Sequence, residues 1–276
     1  MELLFYYIFL FFVIVFIVIL KDADLSIWKS PKYIAPLDVN IHSILIKNFH
    51  FYKMLTPLER PRFVFRVKKF LIHKNFVGQN DLTVTDEMRI LMSATAVQLT
   101  FGFAPIILKY FHTILIYPEK YYSKRTGTNH VGEVSNRGLI KLSWPHFLKT
   151  LKNYDNGYNL GLHEMSHALK LENAIRNGEY GFMSTILLGR LHRLSLMEIR
   201  KIRRGENQFL RKYAASNQEE FFAVSVEYFF EKPLQLQKQL PQLYKILKQL
   251  LRQDPAKRLI KYQMRNQKNA TGLINS

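Results

Sequence analysis

The sequence predicts an α+β fold, mostly helical with a small antiparallel sheet and preceded by one N-terminal transmembrane helix. Three observations lead there. Residues 3–20 are an unbroken apolar and aromatic run of 18 residues. Apolar residues recur at helical spacing from residue 40 to 99 and again from 217 to 251. Between those blocks, residues 105–145 hold β-branched runs and a hairpin-type turn.

At 1.5 Å per residue the apolar run spans about 27 Å, close to the roughly 30 Å hydrocarbon core of a bilayer. No basic residue precedes it and no small-x-small cleavage signature lies before Lys21, which favours an anchor over a cleaved signal peptide. Lys21, Lys29 and Lys32 follow it, so the positive-inside rule places the body of a single-pass membrane protein in the cytoplasm. Pro31 and Pro36 mark a linker. The expected organisation is a membrane anchor over residues 1–21, a linker over 22–39, a folded domain over 40–256 and a basic tail over 257–276.

Within the domain, Ile41, Ile44, Leu45, Phe49 and Tyr52 fit one helix face. Thr56-Pro57-Leu58-Glu59 has the form of a capped helix start, and Phe63, Val64, Val67, Phe70 and Leu71 continue its stripe. Residues 76–82 read as a short extended piece. Thr85-Asp86-Glu87-Met88 opens a helix to about Leu99, in which Ala94 and Ala96 allow close packing. Ile106-Ile107-Leu108 and residues 114–117 are β-rich, and Gly132-Glu133-Val134 pairs with residues 139–144 around Asn136-Arg137-Gly138. Two readings of a strand at that point stand side by side: one wall of a cleft, whose edge an extended peptide joins by main-chain hydrogen bonds, or an ordinary sheet edge. Residues 177–208 are basic and helical. Ser216-Asn217-Gln218-Glu219 has the form of a capping box, so a helix is expected to start at Asn217. Residues 220–231 are apolar on nearly every side, which predicts burial, and Pro233 ends them. Residues 241–251 carry Leu243, Ile246, Leu247 and Leu250 on one face. The basic tail beyond Pro255 is expected to fray at its end.

Forty Lys and Arg stand against 21 Asp and Glu, a formal net charge of +19, and there is no cysteine. The absence of cysteine excludes a disulfide framework and thiolate metal sites, so any metal must sit on His, Asp or Glu. The positive charge draws the chain towards anionic surfaces. No helix-turn-helix, zinc-finger or RNP-type pattern accompanies it, so specific nucleic-acid binding is not expected.

His163-Glu164-Met165-Ser166-His167 is an HExxH motif. On a helix the two histidines, at i and i+4, share a face. That spacing lets two neutral imidazoles hold one zinc ion at about 2.0–2.1 Å each. Glu164 then reaches a water at the metal as general base. A third protein ligand is required. The HExxHxxGxxH continuation is excluded, because Lys170 and Asn173 occupy its positions, and Ile186 and Leu187 stand where a Glu about twenty residues on would be. Glu172 and Glu179 are nearer acids but belong to no ligand motif.

Several blocks follow one another in a familiar order: Gly132-Glu133-Val134, Leu142-Ser143-Trp144, the NLGLHEMSH stretch at 159–167, Tyr213-Ala214-Ala215-Ser216, Glu220-Phe221-Phe222-Ala223-Val224 and the EYFFEKP stretch at 227–233. Together they resemble the MtfA-like zinc-dependent peptidases over roughly residues 28–255. The resemblance implies a zincin-like metallopeptidase core, one zinc ion per chain, a peptide or protein substrate and a regulatory protein partner. Carried over by position, it makes His163, His167 and Glu220 the zinc ligands, Glu164 the catalytic base and Tyr213 the stabiliser of the oxyanion. Lys170 departs from the family pattern, which has an acidic residue there. The same resemblance implies a second reading, a zinc-binding regulatory protein with little turnover.

Glu219, Glu220 and Glu227 are separated by their helical positions. The capping box uses Glu219 at N3, turned back towards the Ser216 N–H. Glu220 lies about 100° around the helix from it, in line with Glu227 and Glu231. Buried carboxylates need partners. Zinc supplies one for Glu220, and a ligand imidazole N–H supplies one for Glu227.

Overall fold

The first helices pack around one buried helix. Residues 41–272 are described by a computed structural model, apart from Arg125; the expected anchor at 3–20, the linker and the last four residues lie outside the described residues. Helices α1 (Ile41–Asn48), α2 (His50–Met54) and α3 (Glu59–Ile72) lead to strand β1 (Asn75–Gly78). Thr56 and Glu59 cap the start of α3 reciprocally: the Glu59 N–H donates to Thr56 Oγ1 at 3.3 Å and the Thr56 N–H to Glu59 Oε2 at 2.9 Å. Helix α4 (Asp86–Thr100) starts at its Thr85 cap and carries no charge after Arg89. It is therefore buried on every side from residue 90 to 100 and packs against α1 and α3. Its last carbonyls, with those of the turn that follows, are satisfied by buried Arg66, which donates to Thr100, Phe101 and Phe103 oxygens at 3.4, 3.1 and 2.8 Å.

The strands after α4 are β2 (Thr113–Tyr117), β3 (Tyr121–Ser123), β4 (Thr128–His130), β5 (Gly132–Ser135) and β6 (Leu139–Ser143). The larger sheet has the order β1-β2-β6-β5, while β3 and β4 form a separate antiparallel pair. The expected hairpin is present: β5 and β6 are antiparallel with Val134 opposite Ile140, and Gly138 takes φ +73° at the turn. Elsewhere the sheet departs from the simple antiparallel one expected, because β1 pairs with β2, and β2 with β6, in parallel. Parallel partners are joined by long connections, here α4 and the β3–β5 excursion, and so leave no local turn signal to read. Ile114, Ile116, Ile140 and Leu142 are the inward residues of these strands and are fully buried.

A second departure concerns Ile106-Ile107-Leu108, which form no strand. The N–H groups of Ile107 and Lys109 donate to the Glu179 carboxylate at 2.8 and 3.1 Å. The Leu108 carbonyl accepts from the Lys74 ammonium at 2.6 Å, and Leu108 itself sits at φ +53°. Side chains here satisfy the backbone groups that a ladder would otherwise pair.

Helices α5 (Trp144–Lys152), α6 (Leu160–Ala174) and α7 (Thr185–Arg203) follow, then a 3-10 turn (Lys212–Ala215), α8 (Gln218–Glu231), α9 (Pro233–Gln239), α10 (Pro241–Leu250) and α11 (Pro255–Gly272). Every residue from 221 to 230 in α8 is buried, as its composition predicts, and Pro233 opens the next helix. The basic stretch after Pro255 is helical through Gly272, and the end of the tail, where fraying is expected, lies outside the described residues. Arg258 Nη1 bonds both Glu59 oxygens at 2.9 Å and Arg265 Nη2 donates to the Met54 carbonyl at 2.7 Å, which seats α11 on α2 and the start of α3. The described chain is thus a mostly helical α+β fold with small sheets. Among the described residues no helix is long and apolar enough to cross a membrane.

Candidate active site

The HExxH motif lies on α6, which begins at an Asn159 cap whose side chain accepts the Leu162 N–H at 2.9 Å. His163 and His167 leave one face of α6 with their Nε2 atoms 3.3 Å apart. Helix α8 packs against α6 and presents Glu220 to them. Glu220 Oε2 is 3.0 Å from His163 Nε2 and 3.6 Å from His167 Nε2. The three ligand-type atoms all lie within 4.8 Å of one another.

The start of α8 is one residue later than expected. Its N-cap is Asn217, whose side-chain oxygen accepts the Glu220 N–H at 2.9 Å, so Glu220 and not Glu219 stands at N3. The Ser216 N–H donates instead to the Tyr213 carbonyl within the 3-10 turn. Freed from capping, Glu219 pairs with Lys170 at 2.7 Å in a largely exposed contact. Glu219 is therefore engaged by Lys170 on the lining of the cleft, and the departure at Lys170 has its own partner.

Glu227 lies two turns along α8 and is fully buried. Its Oε1 is 2.7 Å from His163 Nδ1, the contact expected for it. Its Oε2 accepts the Asn159 N–H at 2.6 Å and Arg211 Nη1 at 3.0 Å, and Arg211 Nη2 closes a second bond to Oε1. Arg211 Nη1 also donates to the Gly157 carbonyl at 2.7 Å. One turn further, Glu231 accepts from the Gly157 N–H at 3.1 Å and from Asn159 Nδ2 at 2.9 Å; burial pushes its carboxyl up to about 8. Arg211 and Asn159 were not singled out from the sequence. Arg211 sits in a run of solvated cations, and the only available signal was the need of a buried Glu227 for a counter-ion.

The chemistry of this cluster fits a metal ion. With Nδ1–H donated to Glu227, a neutral His163 ring turns the Nε2 lone pair towards Glu220 Oε2, 3.0 Å away, so a proton or a cation is needed between the two acceptors. Glu220 Oε2 is buried with no hydrogen-bond partner. Burial opposes charge on both groups. The Glu220 and Glu227 carboxylates nevertheless lift His163 to about 10, and the two imidazoles hold Glu220 well below the usual carboxylate range. The cluster is thus short of positive charge, which a divalent cation supplies to all three atoms at once. Two imidazoles and one carboxylate are a zinc-type donor set.

Glu164 is buried and projects towards β5. A Cβ built on Gly132 would lie 2.4 Å from Glu164 Oε1, so the missing side chain is what admits the carboxylate. Burial pushes the Glu164 carboxyl up to about 7 against the pull of His163 and His167. Tyr213, on the 3-10 turn, is half exposed, and its ring centroid is 5.9 Å from that of His163. Burial and the Glu220 and Glu164 carboxylates push this phenol up to about 12. These groups line a cleft of about 550 Å³ whose far wall is β5, through Gly132, Val134 and the following Asn136. Strand β5 ends the sheet order, so one of its edges faces no strand among the described residues.

Zinc content of purified variants checks the ligand assignment. Glu220→Ala is expected to lose bound zinc, Glu227→Ala to weaken it by roughly 10–100-fold, and Glu219→Ala to keep it. Full zinc in Glu220→Ala would remove that residue from the cluster.

Residues 27–252 match the family described as glucose-regulated metallo-peptidase M90. An uncharacterized protein of Synechocystis sp. is 28% identical over 249 residues, covering 83% of this chain and 89% of the relative. Mlc titration factor A of Edwardsiella ictaluri is 29% identical over 225 residues, covering 73% of this chain and 83% of the relative. Mlc titration factor A of Escherichia coli O7:K1 is 31% identical over 224 residues, covering 74% and 83%. The family match spans the edge strand, the HExxH helix and the Glu220 helix alike, and the chain belongs to the glucose-regulated metallo-peptidase M90 family.

Proposed function

We propose that the protein is a membrane-anchored zinc peptidase. The observation that carries this is the convergence of His163, His167 and the orphaned Glu220 oxygen, with Glu164 beside them in a cleft walled by an open strand edge. His163, His167 and Glu220 hold the ion, and Glu227 with Arg211 fixes the tautomer and orientation of His163. When bound, zinc supplies a Lewis acid and lowers the pKa of water towards about 7. An extended peptide joins the free edge of β5 by main-chain hydrogen bonds. Glu164 takes a proton from the attacking water and returns it to the departing amine nitrogen. The Tyr213 hydroxyl donates to the carbonyl oxygen as negative charge develops there.

Residues 3–20 anchor this domain, with the catalytic body in the cytoplasm; the apolar run and the lysines that follow it support that orientation. The relatives named Mlc titration factor A support a regulatory protein partner for this chain as well. They also support the second reading, a zinc protein that acts by binding with little turnover.

Variants, partner binding and protease protection decide among these. Glu164→Gln is expected to bind zinc normally and to lose peptide hydrolysis by several orders of magnitude, and Tyr213→Phe to lose about 10²–10³-fold in rate. Wild-type turnover in Glu164→Gln sinks the mechanism, and retained partner binding without turnover in the wild type favours the second reading. Gly132→Ala is expected to fold and hold zinc, since the clashing atoms end a flexible side chain, but to slow hydrolysis by as much as roughly 100-fold by displacing Glu164. An unchanged rate would show that Glu164 has room to spare. For the anchor, protease added outside intact cells should leave residues 130–230 uncut, and their digestion would reverse the orientation.

A further inference from the structure

The second large cleft, of about 760 Å³, lies between the start of α3, the turn after α4 and the α10–α11 corner, and shares no lining residue with the active-site cleft. Its acids are already engaged: Glu59 with Arg258, and Asp254 with the Lys248 ammonium and the Tyr244 hydroxyl, each at 2.6 Å. Four of its cations, Arg62, Arg252, Lys257 and Lys261, have no carboxylate partner among the described residues. Arg62 and Arg252 rest instead over the rings of Phe101 and Phe103.

Two further features mark this groove as built. Arg252 takes φ +53° just after α10, a left-handed position where glycine is the unstrained choice, and the strain is kept at a guanidinium that lines the groove. Gln253 is only 8% exposed. Its Nε2 donates to the carbonyls of Gln98 and Leu99 at 2.9 and 3.1 Å, which fixes the amide orientation. Its Oε1 is then left buried without a hydrogen-bond donor. The groove thus offers cations for an anion, and Gln253 on its lining carries one buried acceptor still without a donor.

We propose that this groove binds a phosphate ester that carries a free hydroxyl. Arg252, Lys257 and Lys261 hold the phosphate and Gln253 Oε1 accepts from the hydroxyl. The same chemistry belongs to the glycerol-phosphate headgroup of an anionic lipid and to a small soluble ester. The test is calorimetry on the full chain in zwitterionic detergent micelles. It is titrated with glycerol 3-phosphate, with inorganic phosphate, and with micelles doped with phosphatidylglycerol or with phosphatidylmethanol, which has the same charge and no hydroxyl. Saturable binding of glycerol 3-phosphate identifies a soluble ester, and binding confined to phosphatidylglycerol micelles identifies a headgroup. Arg252→Gly relieves the strained φ, so its melting temperature should hold or rise while affinity falls roughly tenfold or more. The surface pair Lys257→Ala and Lys261→Ala should lose affinity likewise without losing zinc. The proposal is overturned by no binding of either ester, by equal affinity for inorganic phosphate, which has no carbon-borne hydroxyl, or for phosphatidylmethanol, or by undiminished binding in Arg252→Gly.

Discussion

A fully buried carboxylate is costly unless several donors converge on it, and Glu227 is the one on which this molecule turns. Its donors come from three places in the chain: the Asn159 N–H at the start of α6, the His163 imidazole one turn later, and the Arg211 guanidinium before the 3-10 turn. None of these can be satisfied by α8 alone. Packing α8 against α6 at the observed register is what brings them together, so the interaction that relieves Glu227 also sets the separation of the two helices. The orientation of His163 towards Glu220 follows from that packing.

Glu220, Glu227 and Glu231 form one stripe on α8, and each is engaged by a different neighbour. A helix rotated by one residue would take Glu227 and Glu231 off their donors and Glu220 off the histidines. The remainder of α8 is apolar all round and would itself tolerate many rotations. The acids therefore supply the rotational specificity that hydrophobic burial lacks. Glu219, one position away and outside this stripe, is free to pair with Lys170 in solvent.

Much of this was legible in the sequence because it is local. The HExxH spacing, the Thr56 and Thr85 caps, the all-round apolar character of α8 and the β5–β6 hairpin each depend on residues a few positions apart. What was not legible depends on partners far along the chain. The parallel β1–β2–β6 core has no turn to announce it. Ile106-Ile107-Leu108 looked like a strand until Glu179 and Lys74 took its hydrogen-bonding groups. At the start of α8, Ser216 and Asn217 both fit a cap, and the 3-10 turn claims the serine N–H, leaving the asparagine. Gly132 gave no sign of its role, because the carboxylate it admits is 32 residues away.

The mixed sheet has a consequence for how the molecule is made. Asn75 must find Thr113, and Thr113 must find Leu139, before the parallel ladder exists. Such closures cost chain entropy before any contact rewards them, and they slow folding. The β5–β6 hairpin needs no such closure. During synthesis it can form while β6 still lacks β2, so an apolar strand with an open edge stands exposed for that interval. The sheet that walls the cleft is therefore also where a nascent chain is most open to pairing with another copy of itself.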